Sequence, residues 1–89
     1  MSKVQTITID FTQISSNQGF YEQLKAQYTQ IASYFGDNLD ALQDVLRDAD
    51  LHIVIINCGK ARQEQYKKIF TVMNRCVDIN NNFSYEVIY

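Results

Sequence analysis

The chain has no proline and no tryptophan, and only three glycines, two cysteines and one histidine among its 89 residues. Without proline the usual breakers are missing, so helix ends must rest on Gly36, Gly59 and polar caps. Three glycines spaced far apart cannot build a phosphate-cradling loop. Cys58 and Cys76 form no CxxC motif and lack a metal-like neighbourhood. In the cytoplasm both would be reduced. Sequence alone leaves a bridge between them open, because it does not give the separation of their α-carbons. His52 lies inside an apolar run with no acid or nucleophile positioned beside it. Cys58 follows along the same strand at a distance of about 20 Å when extended, which excludes a local Cys–His pair. No carboxyl is set in an apolar pocket that would hold it neutral for acid catalysis. The Ca²⁺-loop spacing is absent from Asp37, Asp40 and Asp44. The expectation is a protein that is not an enzyme and carries neither cofactor nor metal.

Long hydrophobic runs are missing as well. None approaches the roughly 20 residues needed to span a bilayer. Met1-Ser2-Lys3 leads straight into an alternating segment with no apolar signal stretch. Cytoplasmic localisation without a membrane partner is the resulting expectation. What the chain does have is apolar content of 46%, enough for one core without staples. A chain of this length buries about 60–65% of its unfolded surface. Residues 1–89 are expected to form one domain, since no repeat, linker or low-complexity tract divides them.

Periodicity gives the order strand, helix, helix, strand, helix, strand. Ile7, Ile9 and Phe11 alternate with Thr6, Thr8 and Asp10 in a half-buried strand over 4–11. Ser15-Ser16-Asn17-Gln18 offers a capping box, with Ser15 as cap and Gln18 reaching back. Tyr21, Leu24, Tyr28, Ile31 and Phe35 then recur as the stripe of one amphipathic helix, stopped by a left-handed Gly36. Residues 51–57 read as the most buried strand, broken by Gly59. Tyr66, Ile69, Phe70, Met73 and Val77 define a later helix, and Asn80-Asn81-Asn82 turns the chain into a last strand over 83–89. Strands separated by helices predict an α/β fold, a small three-stranded parallel sheet with three to four helices.

The most informative segment joins Tyr34-Phe35-Gly36 to a second helix. Leu39, Leu42, Val45 and Leu46 share one apolar face of it. Asp37, Asp40, Asp44 and Asp48 fall at spacings of three and four on another. Asp37 or Asn38 suits the N-cap and Asp40 the first turn, where the helix dipole favours anions. Asp44 and Asp48 have no such local reason. Aspartate is a mediocre helix former, and like charges four apart cost roughly 0.2–0.5 kcal/mol per pair. Arg47 relieves part of that by pairing with Asp44. Residues 34–50 hold five acids and one base, net −4, while the remainder holds five acids and seven bases, net +2. The overall charge of −2 therefore hides a localised acidic face, the kind of surface that a cationic partner would compensate.

Over the same segment, Tyr34-Phe35-Gly36-Asp37-Asn38-Leu39-Asp40-Ala41-Leu42 with Asp44 two residues on, the chain resembles the barstar family, intracellular inhibitors of small secreted bacterial ribonucleases. The resemblance implies a barstar-like fold and a 1:1 complex with a basic ribonuclease. It implies contacts from Tyr34, Asn38, Leu39, Asp40, Gln43 and Asp44, with Asp40 and Asp44 as the inhibitory pair and Asp44 central. Gln43 stands where barstar has tryptophan. Two glutamates that barstar directs at its ribonuclease correspond here to Val72 and Cys76. Those departures raise an alternative, an immunity protein against a different toxin nuclease. Nucleic-acid binding through Lys60, Arg62, Lys67, Lys68 and Arg75 is a third reading, opposed by the acidic helix and a pI near 5.1. No nucleic-acid partner is expected.

Overall fold

The computed structural model describes residues 3–88; Met1, Ser2 and the expected closing strand residue Tyr89 lie outside them. Three strands, β1 (Gln5–Asp10), β2 (Leu51–Ile56) and β3 (Phe83–Ile88), alternate with helices α1 (Asn17–Gln27), α2 (Leu39–Arg47), α3 (Lys60–Gln65) and α4 (Lys67–Ile79). Single 3₁₀ turns occupy Phe11–Gln13 and Thr29–Ile31. The sheet has order β1-β2-β3 and is parallel throughout, with Ile7 opposite Ile53 and Ile53 opposite Tyr85. This is the expected α/β class.

The helices cover one face of the sheet. Ile7, Ile9, Leu51, Ile53, Ile55 and Phe83 are buried, and their strand neighbours point the other way. The apolar run of β2 reads as buried on both faces, but His52, Val54 and Ile56 are only half-buried. The reason is stoichiometric: too few helices exist to coat a second face, so the parallel sheet is two-layered. On that open face the isolated reading of His52 is corrected. Its Nδ1 lies 2.7 Å from Ser84 Oγ and its Nε2 3.8 Å from Glu86 Oε1, both brought across from β3.

Other expectations at the element ends are corrected too. Ser16, not Ser15, caps α1, and makes no side-chain bond there. Gln18 does not reach back; its amide donates to Glu22 and to Asp37. The long apolar stripe is split, because α1 stops at Gln27 and the 3₁₀ turn carries the chain onward. All five stripe residues are nonetheless buried, so spacing identified the core and missed the break. Asn57, with φ 59°, ends β2 ahead of Gly59, and its side chain donates to Asp10 Oδ1 at 3.0 Å. Asparagine tolerates the left-handed region better than other non-glycine residues. The last helical region is two helices, and Val77 is exposed where Val72 and Cys76 are buried.

Phe11 anchors the aromatic core, with ring centroids 6.2 Å from Phe20, 5.4 Å from Tyr66 and 6.1 Å from Phe70. Arg62 is drawn out of any basic face, since its guanidinium donates to the carbonyls of Ile14 and Phe11, both at 2.9 Å. The outer edge of β1 is sealed by two amides one turn apart on α1. Gln23 accepts from the Asp10 N–H and donates to its carbonyl, each at 2.8 Å, and Gln27 does the same for Thr8. Each glutamine stands in for a strand neighbour. We expect Gln23→Ala/Gln27→Ala to lower stability by about 1–3 kcal/mol, chiefly the cost of the part-buried Asp10 backbone groups left unpaired, and to promote self-association through the bared edge. Urea titration and sedimentation of the double variant check both.

Candidate functional site

Helix α2 is held at both ends by asparagine. Asn38 is the N-cap: its Oδ1 accepts from the Ala41 N–H at 2.8 Å and its Nδ2 donates to the Gly36 carbonyl at 3.0 Å. At the far end, Asn80 donates to the carbonyls of Leu46 and Ala49 at 2.9 and 2.8 Å, tying the last turn of the helix and the residue after its C-cap to the end of α4. Between these anchors Leu42 and Leu46 are fully buried, and Leu39 and Val45 half-buried. Burying a leucine side chain is worth about 1.5–3 kcal/mol. The apolar face thus sets the rotation of the helix, and Asp40, Asp44 and Asp48 are left outward.

Gly36 is not the left-handed residue. Asp37 takes that conformation, with φ 51°. Gly36 is needed for room instead, since a Cβ there would lie 3.2 Å from Asn38 Nδ2 and 3.4 Å from Ala41 Cβ, crowding the cap. The turn also removes Asp37 from the expected acidic ridge. Its Oδ2 accepts from Gln18 Nε2 and from Lys25 Nζ, both at 2.9 Å. These bonds, the one from Gln18 first, hold its carboxyl below the usual range, while the bond to Asp37 raises Lys25. Asp37 is a strut between α1 and the α2 cap. The ridge that faces solvent is Asp40, Asp44 and, at the C-cap, Asp48.

The six residues marked by the resemblance all lie on α2 or the turn before it, and most of them line grooves on either side of the helix. On one side Tyr34, two-thirds exposed, shares a groove with Asp44, Val45 and Asp48. On the other, Leu39, Asp40 and Gln43 share one of about 260 Å³ with Lys68, Thr71 and Arg75 of α4. Asn38 sits at the helix start as its cap. Asp44 pairs with Arg47 at 3.2 Å, an exposed contact worth little. Among the described residues Asp40 has no ion-pair partner. Gln43 is engaged: Arg75 Nη1 donates to its Oε1 at 3.0 Å.

Val72 and Cys76, which the resemblance sets at the positions of two partner-facing glutamates, do not face solvent here. Both are buried, and α4 packs against α2 through this side, with Cys76 Sγ 3.6 Å from the Gln43 carbonyl. The exposed residues of α4 beside α2 are Lys68, Thr71 and Arg75, a rim whose two bases the sequence offered only to solvent or to nucleic acid. The spacing of Ile69, Val72, Met73 and Cys76 carried the signal, because those four form one buried stripe. Cys58 and Cys76 are free thiols, and burial raises both away from the reactive thiolate. No group of three or more potential metal ligands occurs among the described residues. No helix among them is long and apolar enough to cross a membrane.

Two outcomes are expected at the ends of α2. Asn38→Ala removes the cap and should cost about 1 kcal/mol in urea denaturation. Asp37→Asn tests linkage. A carboxyl lowered on folding stabilises fully above its ordinary value of 3.8, and that share is lost as pH falls through the lowered folded value. Raised Lys25 contributes below its ordinary 10.5 and loses its share as pH climbs through the raised value. The gap between wild type and Asp37→Asn should therefore be flat across neutral pH and narrow toward both extremes in a pH series of melts.

The family model described as Barstar (barnase inhibitor) matches residues 4–87, nearly the whole chain. No curated protein matches it significantly. The chain belongs to the barstar family, and is a barnase-inhibitor-type protein.

Proposed function

Working from membership of the barstar family, we propose that this chain is an intracellular inhibitor of a small basic ribonuclease and forms a 1:1 complex with it. Asp40 and Asp44 enter the enzyme's active-site cleft in place of RNA phosphates. The single observation that carries this reading is the exposed pair itself: two carboxylates one helical turn apart on a helix whose rotation is fixed by buried Leu42 and Leu46. Asp40 has no ion-pair partner among the described residues and Asp44 only an exposed, weak one. Both are available to arginine, lysine or histidine groups that would otherwise hold phosphate. Inhibition is then steric exclusion with charge mimicry, and no bond is made or broken. Tyr34 supplies an aromatic contact with few rotamers to immobilise, as interface tyrosines commonly do. Its groove with Asp44 sets that contact beside the central charge. Gln43 touches the partner without the apolar anchor a tryptophan provides, and Leu39 and Asn38 shape the surface at the helix start.

The pre-capped helix supports tight inhibition, because a surface already held at both ends loses little freedom on binding. The barnase–barstar pair is itself the reference case for steering between opposite charges, so only its direction is carried over: fast association that weakens with salt. One observation favours a second reading, an immunity protein against a different delivered toxin nuclease. The α4 rim beside Asp40 is basic, whereas the family resemblance assigns acids to that helix.

The test is inhibition of barnase-type ribonuclease activity by purified wild type and variants. Asp44→Ala is expected to weaken inhibition most, by about 2–5 kcal/mol, and Asp40→Ala less. The double change should abolish inhibition while leaving the thermal melt within a degree or two. Undiminished inhibition by Asp40→Ala/Asp44→Ala would move the site off α2.

A further inference from the structure

Lys68 and Arg75 lie seven residues apart on α4, two turns along one line, both exposed. Across the groove stands Asp40, with Gln43 between, its amide oxygen bonded to Arg75. Among the described residues neither cation has an ion-pair partner, although Lys25, Arg47 and Lys67 each have one nearby. The surface is thus two parallel stripes of opposite sign: carboxylates along α2, and two unpaired cations along α4. A partner that is basic over its whole face would gain on the first stripe and be repelled by the second. One that carries carboxylates opposite α4 would gain on both.

Resting on the inhibitor reading above, we infer that Lys68 and Arg75 form a discriminating rim. The rim selects a nuclease whose active-site cleft is basic but whose flank facing α4 bears carboxylates, and it rejects nucleases that are basic on both. Gln43 fits this role. A tryptophan at that position could not accept from Arg75 through its side chain, whereas the glutamine amide holds the guanidinium at the groove's edge. The rim is also positioned firmly, because α4 is anchored in the core by fully buried Ile69, Met73 and Cys76. Rigid placement makes like-charge repulsion hard to escape by rotation of the helix.

A charge-swap experiment tests this with barnase as probe, in two forms: unmodified, and with glutamates introduced on the flank that faces α4. Each form is titrated with wild type, Lys68→Gln/Arg75→Gln, Lys68→Glu/Arg75→Glu, and Asp40→Ala/Asp44→Ala. The expected result is a crossing. Lys68→Glu/Arg75→Glu inhibits unmodified barnase at least tenfold better than wild type does, wild type prefers the glutamate-bearing form by a similar factor, and the glutamine variant falls between. Thermal melts of the α4 variants should coincide with wild type, since both side chains are exposed. If inhibition depends on Asp40 and Asp44 but is indifferent to all α4 changes, the rim is overturned and the inhibitor reading stands. If no combination inhibits either enzyme, both fall together. A labelled RNA oligomer bound by wild type and lost in Lys68→Glu/Arg75→Glu would overturn the rim by assigning it to nucleic acid.

Discussion

Burial of Leu42 and Leu46 is the constraint on which the acidic surface depends. A nine-residue helix has little intrinsic stability in water, so its place is decided by what its apolar face can cover. Here that face closes over the core beside α4, and the carboxylates at positions 40, 44 and 48 follow by geometry alone. The charges do not orient the helix; the leucines do. A conservative change within that apolar pair would therefore disturb the acidic face more than a loss of Arg47 would, because the Asp44–Arg47 contact is exposed and weak.

The surroundings convert that placement into a rigid surface by satisfying backbone groups with amide side chains. Asn38 and Asn80 close the two ends of α2, and Gln23 and Gln27 close the free edge of β1. Asn57 and Asp10 link the ends of β1 and β2. Proline is absent, so no segment has its backbone pre-set, and short polar side chains supply the stops and corners in its place. Glycine contributes less than its position suggests. At Gly36 what matters is the missing side chain, which gives the Asn38 cap room, while an aspartate carries the positive φ.

Asp37 shows how identical residues diverge once the chain is folded. Spacing places it with Asp40 and Asp44, yet it precedes the helix, and the left-handed turn carries its carboxyl to Lys25 and Gln18 of α1. Asp37 spends its charge inside the protein; Asp40 and Asp44 keep theirs for solvent or a partner. The same distinction applies to the bases. Arg62 is absorbed by carbonyls of the turn after β1, and Lys67 pairs with Glu64, so what reads as a basic helix reduces at the α2 groove to Lys68 and Arg75.

Local patterning by itself determined much of this protein. Alternation located the buried residues of β1, helical spacing located Leu42, Leu46 and the acidic face, and the Tyr34–Asp44 segment was specific enough to mark the family. These features are legible because each depends on neighbours within a few residues. Helix α1's early end, the division of α3 from α4, the flanking of His52 by Ser84 and Glu86, and the meeting of Arg75 with Gln43 were decided only in three dimensions. Each joins groups distant in sequence or depends on how much of a surface the other elements leave uncovered, and periodicity along one segment holds no information about either.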